Sequence, residues 1–496
     1  MTKNKKQNLI LITIDTLRLD HLKIMGYKKN ITPYLDKLAK KGIFFTQTIT
    51  NGPWTLPSFS SIFTSIYPFH QGGYSPLPDT KTTLAEVLKG NGYLTMGIHS
   101  TPVLSRFYRF DRGFDIFYDA LEKTSNHPVK SRFFNKLINN MKIFNRTADF
   151  FINFKILKRI NYYLLILFYN MIVGNIEYYK DAERIFKKAV GWLESYYSNK
   201  NWNKKPYFLW IHLMDLHDPY FPKNWVIKKI GAEYITENEI KYIEKHPEYY
   251  YILREYKMTK KLIELYDSEI RYVDIKIQEF FTKLNQRGWL DNTLTIITAD
   301  HGEEFNEHGK YGHNAQLYDE LLRVPLIFIS EKLKEIRKEG KKDINNLVNM
   351  RDLAPTILDL LELPPEPNFD GKSFADLIFS DKTSSEDPLN NGVFSETYHK
   401  DGNIIFSIDK DASRIISYRT IKWKYIIDEN NLIERLYDLE NDPKEKNNLA
   451  EKNRDLVKLF RKKVIYHIRE KDVPKKNVKD IIEKKKIMLA VRKLRI

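Results

Sequence analysis

The stretch NLILITID, residues 8–15, is a short apolar run that ends in an aspartate. Because apolar residues fill consecutive positions, the run is typical of a strand that is buried on both faces of a parallel sheet. Two later runs, in residues 206–220 and 294–309, have the same character, and a segment with helical spacing lies between them. This alternation of strands and helices predicts an α/β fold with a doubly wound sheet flanked by helices.

Side chains that can bind a metal stand where these predicted strands end: Asp15, His217, Asp300 and His301. Open sheets of this kind bind ligands beyond the carboxyl ends of their strands, so we expect these side chains to meet in one crevice. Oxygen ligands suit Mg²⁺, Mn²⁺ or Ca²⁺, and a histidine shifts the preference toward Mn²⁺ or Zn²⁺. We predict one divalent ion held by Asp15, Asp300 and His301, and leave a second ion open.

The uncharged segment NGPWTLPSFSSIFTSIYP, residues 51–68, predicts a helix with Thr55 just outside its start and Pro57 in its first turn. Such a threonine can simply cap the helix. It can also present a hydroxyl nucleophile to an anion, because a helix N-terminus offers free N–H groups and the positive end of a dipole. With the predicted metal lowering the pKa of the hydroxyl, Thr55 would be both the nucleophile and a further metal ligand.

Three more histidines are candidates for contact with the substrate. His217 lies in DLHDPY, and His308 and His313 lie in EHGKYGH, next to the predicted metal ligands. We predict that all three hold the non-bridging oxygens of the substrate. His217 and His313 are also predicted to act in catalysis, by protonating the leaving group. A single histidine near a turn is more often structural, and that interpretation stays open for each of them.

The composition excludes some chemistry and suggests some partners. The chain has no cysteine, which excludes disulfides, thiolate metal sites and cysteine nucleophiles. Its formal net charge is +17, from 81 Lys and Arg against 64 Asp and Glu. Basic stretches at residues 130–159 and 470–496 indicate either anionic partners or a solvated, lysine-rich surface. Because the sequence carries no nucleic-acid-binding motif, we expect no nucleic-acid partner.

We predict three parts along the chain. Residues 1–385 form the catalytic α/β domain, which includes a basic helical insertion at residues 120–200. Residues 386–450 read as shorter strands and turns and are predicted to form a C-terminal antiparallel α+β subdomain. Residues 451–496 are predicted to form a basic helical tail.

The sequence also bears on location. The N-terminus lacks the pattern of a signal peptide, and the longest uncharged run, residues 160–176, is shorter than a membrane-spanning helix. We therefore predict a cytoplasmic protein. Residues 130–176 join a basic stretch to this uncharged run, and they either lie peripherally on a membrane surface or pack as a helical insertion. The sequence predicts no oligomeric state.

Taken in order, the motifs resemble the sulfatase family of the alkaline phosphatase superfamily. The segments that carry the resemblance are LITIDTLRLDHL, TLPSFSSIFTSIYPFHQG, GNGYLTMGI, RGFDIFYD, FLWIHLMDLHDPY, TADHGEEFNEHGKYGH, LYDELLRVPLIF, RDLAPTILDLLELP and LYDLENDPKEKNNLA. They cover roughly residues 8–450. The resemblance implies a metal-dependent hydrolase with a mixed sheet and a smaller C-terminal subdomain. It carries the metal ligands onto Asp15, Asp300 and His301, and the nucleophile onto Thr55.

The sequence departs from the family pattern at the nucleophile. Sulfatases that cleave sulfate esters oxidise a Cys or Ser to formylglycine within a Cys/Ser-x-Pro-x-Arg pattern, whereas this chain has Thr55 and, in place of the Arg, Phe59. Threonine cannot yield that aldehyde. Thr16, where many relatives have a second Asp, and His301, where many have Asn, resemble phosphodiesterase-like and phosphotransferase-like branches. The resemblance therefore implies a formylglycine-lacking branch with a threonine nucleophile.

Three functions remain open on the sequence. The favoured one is phosphodiester or phosphoryl-transfer chemistry on an anionic glycan or a lipid head group. The second is sulfuric ester hydrolysis of the arylsulfatase type. The third is a non-catalytic binding module on the same scaffold. Hydrolysis and transfer to an alcohol share their first half-reaction, so the sequence does not separate a hydrolase from a transferase.

Overall fold

The computed structural model describes residues 6–469, apart from 72–75, 120–180, 203–204, 247, 314, 339, 341–342, 380–388, 390, 401–402 and 405–412. Most of the predicted insertion, the stretch at 130–176 and the tail beyond residue 469 therefore lie outside the described residues. Among the residues that are described, no helix combines the length and the apolar character needed to cross a membrane. The cytoplasmic location and the membrane contact stay predictions.

The strands of the described residues are listed in chain order. They are β1 (Asn8–Ile14), β2 (Ile43–Ile49), β3 (Leu94–Ile98), β4 (Ile116–Tyr118), β5 (Tyr207–Leu213), β6 (Thr293–Ala299), β7 (Glu304–Phe305), β8 (Tyr311–Gly312), β9 (Arg323–Ile329), β10 (Val348–Asn349), β11 (Val393–Lys400), β12 (Asn403–Ile404), β13 (Ser413–Arg419), β14 (Trp423–Asp428) and β15 (Ile433–Asp438).

The α-helices of the described residues follow in the same way. They are α1 (Pro33–Lys41), α2 (Thr55–Thr64), α3 (Leu84–Gly90), α4 (Ala182–Ser198), α5 (Asn224–Ile230), α6 (Glu237–Lys245), α7 (Glu248–Glu255), α8 (Thr259–Gln286), α9 (Asp319–Leu322), α10 (Glu331–Lys338), α11 (Leu353–Leu360), α12 (Asp376–Phe379) and α13 (Arg454–Arg469).

A central sheet of eight strands has the order β10-β2-β9-β6-β1-β5-β3-β4. Neighbouring strands are parallel except around β9, which is antiparallel to both β2 and β6. Every residue of β1, β5 and β6 is buried, as their continuous apolar runs predict. Helices cover the sheet: α4 packs on β5, and α1 packs on β9. The predicted doubly wound mixed sheet flanked by helices is confirmed.

The register of the central strands places the first candidate ligands side by side. Ile14, the last residue of β1, pairs with Ala299, the last residue of β6. Because the two strands are parallel and end at the same level, the next residues, Asp15 and Asp300, leave the sheet together at its carboxyl edge. The apolar pairing of β1 and β6 therefore fixes the position of two acids that are far apart in the sequence.

A second sheet forms the C-terminal part. It has five strands in the order β12-β11-β13-β14-β15, all antiparallel, and α13 packs on β13 and β14. The predicted smaller antiparallel subdomain is confirmed. The domain limits at residues 385 and 450 stay predictions. We note that α13, which begins at Arg454, packs on this sheet.

Candidate active site

Thr55 lies beside the acid that ends β1. Its Oγ1 atom is 3.2 Å from Oδ2 of Asp15 and 3.4 Å from Nε2 of His301. The hydroxyl donates to the carboxylate, which orients the oxygen toward the carboxyl edge of the sheet. The structure thus brings together three of the residues that the sequence singled out, although they come from three separate segments.

The helix that carries Thr55 begins one residue earlier than the sequence predicts. Thr55 is the first helical residue of α2, and Trp54 is the N-cap, with an extended backbone and no side-chain capping bond. Thr55 therefore does not serve as a cap, which removes the structural explanation for its hydroxyl. All ten residues of the helix are buried, so its N-terminal N–H groups and dipole act in a medium where water screens them poorly.

The second acid, Asp300, is buried next to the first. Its own burial and the negative charge of Asp15 raise the pKa of Asp300 well above its ordinary value. Burial also raises the pKa of Asp15, but the hydrogen bond from His212 and the charges of His217 and His301 outweigh it, so the net shift is downward. Two carboxyl groups are thus held together in a buried site. A bound cation would reduce the repulsion between them.

His301 has the orientation of a metal ligand. Its Nδ1 atom lies 2.8 Å from the carbonyl oxygen of Gly302, and this oxygen can only accept. The proton therefore sits on Nδ1, and Nε2 carries a lone pair directed at Asp300 Oδ2, 3.5 Å away, and Asp15 Oδ1, 4.0 Å away. Burial lowers the pKa of His301 to about 3, which keeps the ring neutral. Metal-bound histidines commonly donate their second N–H to a backbone carbonyl in this way.

The unpaired atoms of the site fit a divalent cation. Among the described residues, Asp15 Oδ1 and Asp300 Oδ2 are buried oxygens that receive no hydrogen bond. One ligand atom of each of Asp15, Asp300 and His301 lies within 4.8 Å of the others. Buried carboxylate oxygens are costly unless they are paired or coordinate a metal. The donor set therefore fits the ion that the sequence predicted, with Thr55 Oγ1 as a neighbouring oxygen.

His212, which the sequence reasoning missed, completes the inner wall of the site. It lies within β5, opposite Thr13, and its Nε2 atom is 3.4 Å from Asp15 Oδ2. Its Nδ1 atom is 3.0 Å from the Thr13 hydroxyl. The signal was present in the sequence, because a histidine inside the apolar run FLWIHL is an unusual fully buried residue that needs polar partners.

Two of the predicted substrate histidines stand at the same crevice. The rings of His217 and His313 are 4.8 Å apart, and the ring of His313 is also 4.8 Å from that of His301. Burial alone would lower the pKa of His313, but the carboxylates of Glu303 and Asp218 outweigh it and raise its pKa to about 9. His313 is therefore positively charged at neutral pH and suits an anionic substrate or a leaving group that needs a proton.

His308 lies in other contacts. Its Nδ1 atom is 2.5 Å from Glu320 Oε1, its Nε2 atom is 3.2 Å from the carbonyl oxygen of Glu445, and its ring stacks on Tyr318. Both ring nitrogens are thus used within the protein. The structure does not bring His308 together with His217 and His313, and its predicted role in substrate binding has no geometric support.

Thr16 turns away from the crevice. Its backbone has φ 54°, a left-handed conformation that is uncommon for a β-branched residue. Its hydroxyl donates to the carbonyl oxygen of Leu216 at 2.7 Å, and its own carbonyl accepts from the Tyr266 hydroxyl at 2.6 Å. The residue that takes the place of a second acid in the family pattern therefore anchors the loop after β1. Backbone strain of this kind tends to cluster at functional sites.

Comparisons with known proteins decide the family. A family model described as Sulfatase matches residues 7–363, which is more than half of the chain. The chain belongs to the sulfatase family. A second family model, described as N-sulphoglucosamine sulphohydrolase, C-terminal, matches residues 306–471. The resemblance to the sulfatase family is confirmed, and the protein is a sulfatase-family hydrolase. The branch with a threonine nucleophile stays a prediction.

Individual members of the sulfatase family are distant from this chain. Arylsulfatase K of Canis lupus familiaris is 24% identical over 477 residues, which cover 90% of this chain and 79% of the relative. A protein solved with its substrate D-glucosamine-2-N,6-O-disulfate aligns with a TM-score of 0.65 at 18% identity, over 95% of this chain and 100% of the other. The phosphonate monoester hydrolase of Agrobacterium radiobacter aligns with a TM-score of 0.63 at 16% identity, over 93% and 95%. These two structures support the fold.

Proposed function

We propose that this sulfatase-family hydrolase cleaves phosphate esters, with phosphodiesters preferred, through a covalent intermediate on Thr55. One observation carries the proposal. The hydroxyl oxygen of Thr55, at the family's nucleophile position, lies 3.2 Å from Asp15 and 3.4 Å from His301. A hydroxyl nucleophile needs an acceptor for its proton within hydrogen-bond reach, and this one has it.

The surroundings of Phe59 argue against formylglycine chemistry. Phe59 stands where the formylglycine pattern has an arginine, and it is fully buried. Its ring packs against Trp210 at 5.3 Å, against Phe63 at 5.7 Å and edge-on against His212 at 4.8 Å. A guanidinium at this position would be buried among aromatic rings, where an unpaired charge is very costly. These contacts support an unmodified threonine as the nucleophile.

The proposed reaction uses the residues as follows. Thr55 Oγ1 attacks phosphorus and forms a Thr55–phosphorus ester, while the bond from phosphorus to the departing alcohol breaks. The hydroxyl proton passes to Asp15 Oδ2, its nearest acceptor. His313, charged at neutral pH, gives a proton to the departing alkoxide, and His217 beside it holds a non-bridging oxygen. Water, or an acceptor alcohol, then attacks phosphorus and gives its proton to His313, while the bond from phosphorus to Thr55 Oγ1 breaks. The proton held by Asp15 returns to Thr55 Oγ1, which restores the starting state.

Asp15, Asp300, His301 and the Thr55 oxygen would hold a divalent cation, and Mn²⁺, Mg²⁺, Ca²⁺ and Zn²⁺ are the candidates. When bound, the cation supplies negative-charge neutralisation at the phosphoryl oxygens and a lower pKa for the attacking hydroxyl. Members of this family are typically metal-dependent. The experiment below determines which of these ions supports turnover.

The proposed substrate is an ester on an anionic glycan or a lipid head group. A structural neighbour is solved with D-glucosamine-2-N,6-O-disulfate, an anionic sugar, and the formal net charge of +17 would attract such molecules. A second candidate function is sulfate ester hydrolysis, which the names of the relatives favour. Formylglycine releases sulfate when its hemiacetal collapses, and a sulfate ester of threonine has no such hemiacetal. Its cleavage would need direct attack at sulfur, so we rank this function second.

Turnover of three model esters tests the proposal. The purified protein is supplied with Mn²⁺, Mg²⁺, Ca²⁺ or Zn²⁺ in turn, and kcat/KM is measured for bis-p-nitrophenyl phosphate, p-nitrophenyl phosphate and p-nitrophenyl sulfate. We expect the diester to be the best substrate. We expect Thr55→Ala to lower kcat/KM by at least about 1,000-fold, because the attacking oxygen is lost.

The matched control is Thr64→Ala, which removes a hydroxyl from the other end of the same helix. The Thr64 hydroxyl donates to the carbonyl oxygen of Ser60 at 2.6 Å, a bond within the helix. Thr64 is not one of the residues to which we give a role in the reaction. This variant should keep its kcat/KM. If p-nitrophenyl sulfate is the best substrate, the second candidate function replaces the first. Full activity of Thr55→Ala would refute the nucleophile, and no turnover with any ion would favour a binding module.

A further inference from the structure

His212 is a fully buried histidine at the inner wall of the crevice, and the reaction proposed above gives it no role. Its Nε2 atom lies 3.4 Å from Oδ2 of Asp15. In the part of the chain that the structure describes, Nε2 makes no other hydrogen bond. A carboxylate oxygen can only accept, so the nitrogen that faces it carries a proton. The ring therefore directs an N–H group at one oxygen of the acid that follows β1.

The pairing of β1 with β5 decides where this side chain lies. The two strands are parallel, with Thr13 opposite His212, and the N–H of Asp15 extends the pairing by donating to the carbonyl oxygen of Leu213 at 2.9 Å. Directly paired residues lie on the same face of a sheet, and so do residues two apart along a strand. Thr13, His212 and Asp15 therefore share one face. Helix α2, which carries Thr55, packs on this face through Phe59, whose ring meets that of His212 edge-on at 4.8 Å.

Two further contacts hold the imidazole in this orientation. Its Nδ1 atom is 3.0 Å from the hydroxyl of Thr13, which can donate to a ring nitrogen or accept from one. The indole N–H of Trp210 donates to the same hydroxyl at 3.1 Å and so holds it in place. The direction of Nε2 toward Asp15 is thus fixed by the packing of β1 and β5 before any ion binds, which lowers the entropic cost of binding.

The two oxygens of Asp15 have different surroundings. Oδ2 accepts the hydroxyl of Thr55 at 3.2 Å and faces Nε2 of His212. Oδ1 is buried and receives no hydrogen bond from the described residues. Rotation of the carboxylate would exchange the two oxygens and would break both contacts of Oδ2. His212 and Thr55 together therefore keep Oδ1 as the oxygen with free lone pairs.

We infer that His212 is a positioning residue, which holds Asp15 so that Oδ1 stays free for the divalent cation while Oδ2 faces Thr55. This role rests on the proposed function, which supplies the cation. Groups that hydrogen-bond to metal ligands orient these ligands and raise the affinity for the metal. Among the acids and histidines of the described residues, Asp15, Asp300 and His301 have ligand atoms within 4.8 Å of one another, and His212 does not belong to this group. His212 therefore acts through Asp15.

The second acid of the crevice is held in a comparable way, but by the backbone. Oδ1 of Asp300 accepts the N–H of His301 at 3.0 Å, whereas its Oδ2 receives no hydrogen bond from the described residues. Each acid thus has one oxygen that is held and one that is free. The backbone N–H that holds Asp300 cannot be removed by substitution. The side chain that holds Asp15 can, and His212 is therefore the residue at which the effect of holding a ligand can be measured.

Metal affinity tests this role without turnover. The full chain is freed of metal, and its binding of Mn²⁺, Mg²⁺, Ca²⁺ and Zn²⁺ is measured by titration calorimetry; only binding that Asp300→Asn weakens is assigned to the crevice. His212→Leu removes the N–H group at a similar volume, and we expect the Kd to rise about 10- to 100-fold. His212→Gln brings an amide N–H toward Asp15 and should recover most of the affinity.

The matched control is Thr95→Val, which removes a buried polar group from β3, the strand on the other side of β5. The Thr95 hydroxyl donates to the carbonyl oxygen of Gly113 at 2.6 Å. This variant should lose stability and keep the wild-type Kd. If His212→Leu does not fold, Thr13→Val replaces it, since it removes the hydroxyl that holds Nδ1 and should weaken metal binding in the same direction.

Two results would overturn the role of His212 alone. A wild-type Kd in His212→Leu, or in Thr13→Val where that variant replaces it, would make the ring a packing group. A Kd in His212→Gln as weak as that in His212→Leu would mean that the N–H group is not what matters. A wild-type chain that binds none of the four ions would overturn this role together with the cation of the proposed function. Full activity of Thr55→Ala would refute the nucleophile and leave the role of His212 intact.

Discussion

Two regions of this protein bury acidic side chains, and the charges next to these acids differ between the two regions. In the crevice that we propose to be catalytic, and call the catalytic crevice, Asp15 and Asp300 lie beside each other. Among the described residues, one oxygen of each receives no hydrogen bond. In a second region, at the contact between α9 and the C-terminal sheet, acids and bases alternate. We call this region the salt-bridge cluster, and it consists of Asp319, Arg419, Lys424 and Glu445.

The salt-bridge cluster balances its charges. Lys424 Nζ lies 2.8 Å from Asp319 and 3.0 Å from Glu445, and Arg419 Nη2 lies 3.0 Å from Asp319. Burial raises the pKa of Asp319, but the charges of Arg419 and Lys424 outweigh it, and the net pKa lies far below its ordinary value. Burial raises the pKa of Glu445, the second acid, to about 7. Two acids thus face two bases, and the negative charge of Asp319 is fully compensated.

The comparison separates two kinds of buried acid in this fold: Asp300, which we propose to be functional, and Asp319, which lies in a structural ion-pair network. Asp300 and Asp319 are both well buried, yet their pKa values move in opposite directions, because the nearest charge is an acid in one case and a base in the other. A pair of adjacent buried acids costs stability, and its retention is explained by a ligand. A buried network in which acids face bases has no such need and fixes the packing of α9 against the C-terminal sheet.

Of the changes that test this comparison, Asp300→Asn in the catalytic crevice should have the largest effect. The substitution removes one carboxylate ligand, so kcat/KM on the best ester should fall by about 100- to 1,000-fold or more. In the presence of a chelator, the same variant should melt at a higher temperature than the wild type at pH 7, because one of two repelling acids is gone. The melting temperature by calorimetry and the initial rate by absorbance provide the two readouts. A variant that is both less active and less stable without metal would contradict this interpretation of the crevice.

The matched change in the salt-bridge cluster is Asp319→Asn, and its effect on stability has the opposite sign. It removes the carboxylate that both Arg419 and Lys424 contact, and removal of one partner from a buried ion pair costs about 3–5 kcal/mol. Urea denaturation measures the loss. Because the folded pKa of Asp319 lies below its unfolded value, its stabilisation is present above about pH 4 and is lost as the pH falls further. The gap between wild type and variant should therefore narrow in acid.

An exposed pair is the control for that prediction. Asp79 and Arg109 form an ion pair at the surface, and Asp79→Asn should leave the unfolding midpoint almost unchanged because water screens the pair. A fall as large as that of Asp319→Asn would mean that burial is not what gives the cluster its effect.

The sequence predicts the fold and the candidate metal ligands of the site for the same physical reason. Strands buried on both faces leave uninterrupted apolar runs, and parallel strands that end at one level place the next residues together. Asp15, Asp300 and His301 follow from this rule, and Thr55 follows from the start of a helix aimed at the same edge. None of these predictions requires knowledge of a side-chain direction.

What the sequence did not predict depends on side-chain direction and on long-range partners. The segment EHGKYGH folds with β7 and β8 as a short hairpin. His308 lies in its turn and contacts Glu320, whereas His313 follows β8 and enters the crevice. Because His308 and His313 are close in the sequence, the sequence alone could not show that only His313 lies in the crevice. His212 was missed because, inside an apolar strand, it reads as a core residue.

The smallest effect that we predict separates two roles for His308. Burial lowers its pKa, but the hydrogen bond and charge of Glu320 outweigh it, so the folded pKa lies above the ordinary value. The pair therefore stabilises the protein fully below about pH 6.5 and less as the pH rises through the folded pKa. His308→Gln should cost more stability at pH 6 than at pH 9, by about 1 kcal/mol or less for a partly solvated pair, measured by urea denaturation. A structural His308 leaves KM unchanged in the variant, whereas a substrate-binding His308 raises KM at both pH values, and this second result would restore the role that the sequence suggested.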